Sequence, residues 1–98
     1  MGIGRIAVMG LGKVGCLAAE LLAEAGLDVV GHDVRQPAHE VPFPHHRTDL
    51  TDPPTLSAVL ADVDAVLSCL PYHLNTALAD AAHDAGIHYF DLTEDVPT

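Results

Sequence analysis

Residues 6–15 read Ile6-Ala7-Val8-Met9-Gly10-Leu11-Gly12-Lys13-Val14-Gly15, and this stretch decides the fold. Four apolar residues lead into a G-x-G-x-x-G pattern, and a helical pattern leads out of it. Taken alone, three glycines at this spacing are common and carry little. Placed between a buried strand and a helix, with Asp33 closing the next apolar run about 20 residues on, they describe a turn that receives a dinucleotide.

Working outward, Arg5 to Met9 is apolar in its centre, as a strand buried on both faces should be. Lys13 to Ala25 is a helix. Its apolar positions Val14, Leu17, Ala18, Leu21 and Leu22 follow the i, i+3, i+4, i+7, i+8 rule and are expected to form its buried face. Glu20 and Glu24 fall on the other side, and Gly26 stops the helix. Asp28 to Asp33 is the second strand. Residues 34–44 hold three prolines and few apolar residues, so they form a loop or a degraded crossover. Phe43 to Arg47 is a short third strand. Asp52-Pro53-Pro54 opens a second helix, with Asp52 as cap and proline in the first turn. Ala65 to Cys69 is the fourth strand, His73 to Ala85 the third helix, and His88 to Leu92 the fifth strand. Alternating strands and helices at this spacing imply right-handed crossovers and a parallel sheet. The expected fold class is α/β: a Rossmann-type doubly wound sheet of about five strands with helices on both faces, truncated at its C-terminus.

Each glycine of the turn has its own reason. Gly10 permits the sharp exit from the strand. Gly12 leaves no side chain between backbone and pyrophosphate, and Gly15 lets the helix pack close to the strand. A pyrophosphate on this helix N-terminus is stabilised by free N–H groups and the positive end of the helix dipole. Leu11, Lys13 and Val14 complete the turn, and Lys13 can add charge or face solvent. Asp33 stands where an acid accepts hydrogen bonds from the adenosine ribose hydroxyls. Its carboxylate repels a 2′-phosphate, which favours NAD; Arg35, two residues on, can hold that phosphate and keeps NADP open. Other strand ends supply further candidates: Asp49 beside the adenine, and Leu70, Pro71 and Thr93 at the far end of the cofactor. Asp49, Pro71 and Thr93 read equally well as turn or capping chemistry.

Composition narrows the function classes. Four basic residues against fourteen acidic give a formal charge of −10, a surface that repels nucleic-acid phosphates. The anionic cofactor must therefore be held by local backbone N–H groups. Cys16 and Cys69 lack metal-ligand spacing and read as small buried residues. The seven histidines form no metal site: His45 and His46 are adjacent and point to opposite faces of a strand. No leader sequence and no apolar run long enough to span a bilayer is apparent, so the expected location is the cytoplasm without membrane association. Ninety-eight residues make one small domain that hides only about 60–70% of its unfolded surface. With an end directly after a strand, residues 1–98 are expected to be the dinucleotide-binding fragment of a longer protein. Its catalytic domain lies elsewhere, and the apolar surface where that domain docks can make the isolated piece form a homodimer.

Beyond the turn, two segments carry a more specific resemblance. Residues 66–75, Val66-Leu67-Ser68-Cys69-Leu70-Pro71-Tyr72-His73-Leu74-Asn75, and residues 81–95, ending in Gly86-Ile87-His88-Tyr89-Phe90-Asp91-Leu92-Thr93-Glu94-Asp95, are similar to the saccharopine dehydrogenase family. Saccharopine reductases, lysine 6-dehydrogenases and carboxynorspermidine dehydrogenases belong to that family. The resemblance covers nearly the whole chain. It implies an NAD(P)-binding domain of an oxidoreductase that transfers hydride at a C–N bond of an amino acid or polyamine. It also implies pyrophosphate on Gly10, Gly12 and Gly15, ribose on Asp33, adenine beside Asp49, and nicotinamide beside Leu70, Pro71 and Thr93. The family's substrate groups come mainly from its next domain, so no catalytic residue is assigned here. The alternative is an NAD-sensing regulatory module of the potassium-uptake type, which shares the glycine turn and the acid after the second strand.

Overall fold

The computed structural model describes residues 4–34, 40–70 and 74–92 in full and the backbone alone at 72 and 73. Eight elements follow in order: β1 (Arg5–Met9), α1 (Lys13–Glu24), β2 (Asp28–Asp33), β3 (His45–Arg47), α2 (Pro53–Leu60), β4 (Ala65–Ser68), α3 (Tyr72–Ala85) and β5 (His88–Asp91). The strands form one sheet in the order β3-β2-β1-β4-β5, with every pairing parallel. This is the doubly wound arrangement expected from the alternation of strand and helix.

β1 is central because it has the sequence of a strand covered on both faces. Its Ile6, Ala7, Val8 and Met9 are all buried. Alternation sends Ala7 and Met9 into a core with Val30, Leu56, Leu60, Val66 and Leu78, under α2 and α3. Ile6 and Val8 enter the opposite core with Cys16, Ala19, Val29, Phe43 and Leu67, under α1. Strand order reverses between β1 and β4, and the chain crosses from one face to the other there. The crevice at the carboxyl ends beside this reversal is where open α/β sheets bind ligands.

Local signals place the helix ends. Asp52 accepts a hydrogen bond from the Thr55 N–H at 3.3 Å and from its hydroxyl, and proline occupies the first turn of α2. α1 ends at Gly26, whose φ of +95° is open to glycine at little cost. Sequence and structure part at the face α1 buries. Val14, Leu17 and Leu21, expected inside, are 53%, 59% and 56% exposed, whereas Gly15, Cys16 and Ala19 are buried. Ala18 and Leu22 lie between these extremes. The cause is the glycine turn. It brings the helix so near the sheet that only small side chains fit between them, which rotates the leucine stripe outward.

The weakest expected strand, β3, exists but spans three exposed residues at the sheet edge. Phe43, expected inside that strand, instead packs into the core beneath α1. Among the described residues, no helix is long and apolar enough to cross a membrane.

Candidate dinucleotide site

The turn after β1 is built by three close approaches. Gly10 takes φ +95°, and its N–H donates to the His32 carbonyl at 2.8 Å. A Cβ at Gly10 would lie 2.9 Å from the Cys69 carbonyl oxygen, so this corner is closed between β2 and the end of β4. A Cβ at Gly15 would lie 1.8 Å from the Gly10 carbonyl oxygen. Helix and turn are therefore in backbone contact. Gly12 differs: nothing lies within 4 Å of the position its Cβ would take, and it is exposed.

Gly12 is also the N-cap of α1, and no side chain caps that terminus. The contrast with α2, capped by Asp52, is informative. α1 presents its first-turn N–H groups outward past an exposed glycine, which is the arrangement that takes an anion. Lys13 and Val14 are exposed at the same end. Leu11 behaves otherwise. Its side chain is buried against Gly31 and Phe43, and its N–H donates to Asp33 Oδ2 at 2.6 Å. Asp33 thus ties the end of β2 to the turn.

The far side of the crevice is also ordered. The Cys69 N–H donates to the Met9 carbonyl at 2.8 Å, and Leu92 N–H to the Ser68 carbonyl at 2.9 Å, which extends the ladder beyond β4 and β5. The buried Ser68 hydroxyl donates to Asn75 Oδ1 on α3 and accepts from the Leu70 N–H at 3.3 Å. A Leu70 methyl reaches to 3.2 Å from the Cβ position of Gly10. Glycine turn, Asp33 and Leu70 therefore meet at one end of the sheet. Asp49 stands beyond β3, linked to this end through the Thr48 N–H, which donates to the Asp33 carbonyl at 2.7 Å. Its Oδ1 accepts from both the N–H (3.0 Å) and the hydroxyl (2.6 Å) of Thr51, bonds that hold its carboxyl below the usual aspartate range. Arg35, Pro71 and Thr93 lie outside the described residues.

Burial raises both thiols. Cys16, which also faces Glu20 and Asp33, donates from Sγ to the Leu11 carbonyl at 3.2 Å and so braces the turn. Cys69 is half-buried. Among the described residues, no group of three or more His, Cys, Asp or Glu could hold a metal ion.

Three features of this end escaped the sequence. Gly31, a glycine inside a strand, leaves room for Leu11 and Phe43, both within 2.8 Å of its Cβ position; interior glycine in a strand is the signal for such a close approach. Arg47 pairs in register with Asp33. The third is a buried polar set on the opposite face, facing α2. His32 Nδ1 lies 2.9 Å from Thr48 Oγ1, and the His32 and His46 rings stack with centroids 5.5 Å apart. These residues line a cleft of about 550 Å³ against α2. The Thr48 hydroxyl donates to the His46 carbonyl at 3.4 Å, so its oxygen accepts from Nδ1–H of a neutral His32.

Burial, with His46 and Arg5 nearby, lowers the His32 pKa from 6.5 to about 4. Between these values the unfolded chain binds a proton that the folded chain refuses. Stability from this group is therefore complete above pH 6.5 and is lost as pH falls toward 4. Discounted for partial solvation, the loss is about 2 kcal/mol. Urea unfolding at pH 7 and at pH 4.5 should show it, and His32→Gln should flatten the pH dependence over that window. An unchanged slope in the variant would assign the effect to other groups.

Comparisons with known proteins bear on the fold and the family. None of the curated proteins matches the chain. Among solved structures, saccharopine dehydrogenase (L-Glu forming) from Saccharomyces cerevisiae is similar at 22% identity with a TM-score of 0.83, over 96% of this chain and 22% of that one. A short-chain dehydrogenase/reductase superfamily protein from Agrobacterium tumefaciens with bound NAD is similar at 25% identity and TM-score 0.74, over 89% of this chain and 31% of that one. The Bordetella bronchiseptica enzyme WbmH in complex with NAD+ is similar at 19% identity and TM-score 0.72, over 88% and 37%. These chains share the fold, and this one spans well under half of each. The model of the saccharopine dehydrogenase NADP binding domain matches residues 6–96. The chain belongs to the saccharopine dehydrogenase NADP-binding-domain family.

Proposed function

We propose that this chain is the cofactor half of an oxidoreductase, binding NAD in preference to NADP for hydride transfer at a C–N bond of an amino acid or polyamine. The observation that carries it is the uncapped N-terminus of α1 behind Gly12, facing open space, with Asp33 fixed beside it by the Leu11 N–H. The pyrophosphate would rest on the first-turn N–H groups of α1. Asp33 would accept from the adenosine ribose, and Asp49 would stand beside the adenine. Leu70, with Pro71 and Thr93, would line the nicotinamide end. The cofactor supplies the hydride chemistry; the residues here bind it and set its orientation.

Substrate groups would come from a further domain. Support comes from apolar surface on one side of the sheet. Tyr89 packs into the core under α2 and α3, so its neighbour Phe90 faces the α1 side, where it is 48% exposed. Val14, Leu17 and Leu21 lie bare on α1. Exposed apolar side chains on this side of the sheet fit a docking site, which would be filled in the longer protein by its next domain and in the isolated piece by a second copy.

The cofactor reading is tested by calorimetric titration of the chain with NAD and NADP, wild type and Asp33→Ala. NAD should bind more tightly in the wild type, and Asp33→Ala should lose about tenfold or more in NAD affinity, the worth of a charge-assisted hydrogen bond. Tighter NADP binding in the wild type would overturn the choice of cofactor, and no heat with either would overturn the reading altogether.

A further inference from the structure

Among the described residues, four polar side chains are buried: His32, Thr48, Ser68 and Asn75. They form two pairs. Ser68 bonds Asn75 between β4 and α3, and His32 bonds Thr48 between the ends of β2 and β3. Burying such a pair has a cost, because apolar side chains of the same shape would fill the space without needing partners. His32 and Thr48 meet that need within themselves. The imidazole Nδ1 lies 2.9 Å from Thr48 Oγ1, and the hydroxyl passes its own proton to the His46 carbonyl at 3.4 Å.

What this pair grips is the end of β2 that meets the glycine turn. The last two residues of β2 clamp the turn by consecutive bonds. The His32 carbonyl accepts from the Gly10 N–H at 2.8 Å, and Asp33 Oδ2 accepts from the Leu11 N–H at 2.6 Å. Thr48 holds the same two residues from the other side: its N–H donates to the Asp33 carbonyl at 2.7 Å, and its hydroxyl meets His32. The N–H bond is open to any residue but proline; the hydroxyl bond is what threonine adds. It matters here because β3 pairs with β2 over only three residues, all exposed, at the sheet edge. So short a ladder anchors the end of β2 weakly. Alternation puts the Asp33 side chain on the opposite face from His32, so the pair acts through Asp33 and does not touch the ribose itself.

We propose that His32 and Thr48 are positioning residues for Asp33: their buried hydrogen bond holds the end of β2 so that the Asp33 carboxylate stays aligned for the adenosine ribose. The inference rests on the cofactor reading above and deepens it, since it names what sets the acid in place. Groups that contact a ligand must be held to within about 0.5 Å, and hydrogen bonds behind them supply that precision. Two apolar side chains would fill the same volume, but a hydrogen bond has a preferred length and direction and so fixes the distance between two strand ends.

The test is a double-mutant cycle read by calorimetric titration with NAD: the wild type, Thr48→Val, Asp33→Ala and the double variant. Thr48→Val keeps the shape and the backbone N–H and deletes only the hydroxyl. It should lower NAD affinity about fivefold while Asp33 is present, and should change nothing in the Asp33→Ala background, where no carboxylate remains to be aimed. Thr48→Ser restores the hydroxyl and should bind as the wild type does. Equal losses in both backgrounds would show a general structural role and overturn the proposal, as would unchanged affinity in Thr48→Val. Should Thr48→Val fail to fold by circular dichroism, the same cycle is decided by His32→Leu, with His32→Asn as the rescue because its amide nitrogen stands where Nδ1 does. A wild type that binds NAD, weakened by Asp33→Ala but not by Thr48→Val, leaves the cofactor reading standing and removes only this inference. A wild type that binds no NAD removes both.

Discussion

Gly15→Ala is expected to lower the stability of this domain by about 3 kcal/mol or more, a fall in thermal midpoint of about 15 °C for a chain of this size. The added Cβ would sit 1.8 Å from the Gly10 carbonyl oxygen. Both groups are backbone, so no side chain can swing away. Either α1 lifts from β1 or the turn opens, and each alternative uncovers the core that Cys16 and Ala19 share with Val8 and Val29. Alanine otherwise favours a helix interior over glycine by about 1 kcal/mol, so the expected loss runs against propensity and reports the close approach alone. Thermal and urea unfolding measure it. A midpoint within about 3 °C of the wild type would show that helix and turn are not in contact.

Gly12→Ala should do the reverse, leaving the fold and removing the ligand. Gly12 has a φ of −73°, which alanine adopts without strain, and nothing lies within 4 Å of the new methyl. The fold should lose less than about 1 kcal/mol, the difference between a glycine and an alanine N-cap. The methyl would stand where the pyrophosphate must approach the α1 N–H groups. NAD affinity should therefore fall at least about thirtyfold, some 2 kcal/mol. Paired titration and unfolding of both variants separate the two roles. If Gly12→Ala binds NAD as the wild type does, the pyrophosphate does not sit at this terminus. With both outcomes, the same three-glycine pattern would contain one residue kept for the fold and one kept for the ligand.

Much of this was legible in the chain. The strands, the parallel sheet, the cap at Asp52 and the stop at Gly26 rest on local rules, in which a few neighbouring residues choose among a few backbone states. The position of Asp33 at the end of the second strand was legible because it follows from the distance in sequence from the turn. The buried face of α1 was misread because periodicity finds the apolar stripe and not the distance at which the helix docks. Val14, Leu17 and Leu21 make the better stripe, but only Gly15, Cys16 and Ala19 fit the gap. Arg47 was missed for a related reason. Its place comes from strand register, which pairs it with a residue fourteen positions earlier, and no local pattern encodes that pairing.

The sequence by itself determined that a strand, a glycine turn and a helix would form in that order, with an acid at the next strand end, since each depends on neighbours along the chain. Only the tertiary structure decided which glycine is closed in and which is open. It also decided that Leu11 spends its N–H on Asp33, and that Arg47 pairs in register with that acid. Those are questions of distance between segments far apart in sequence, and packing fixes such distances after local preferences have been satisfied.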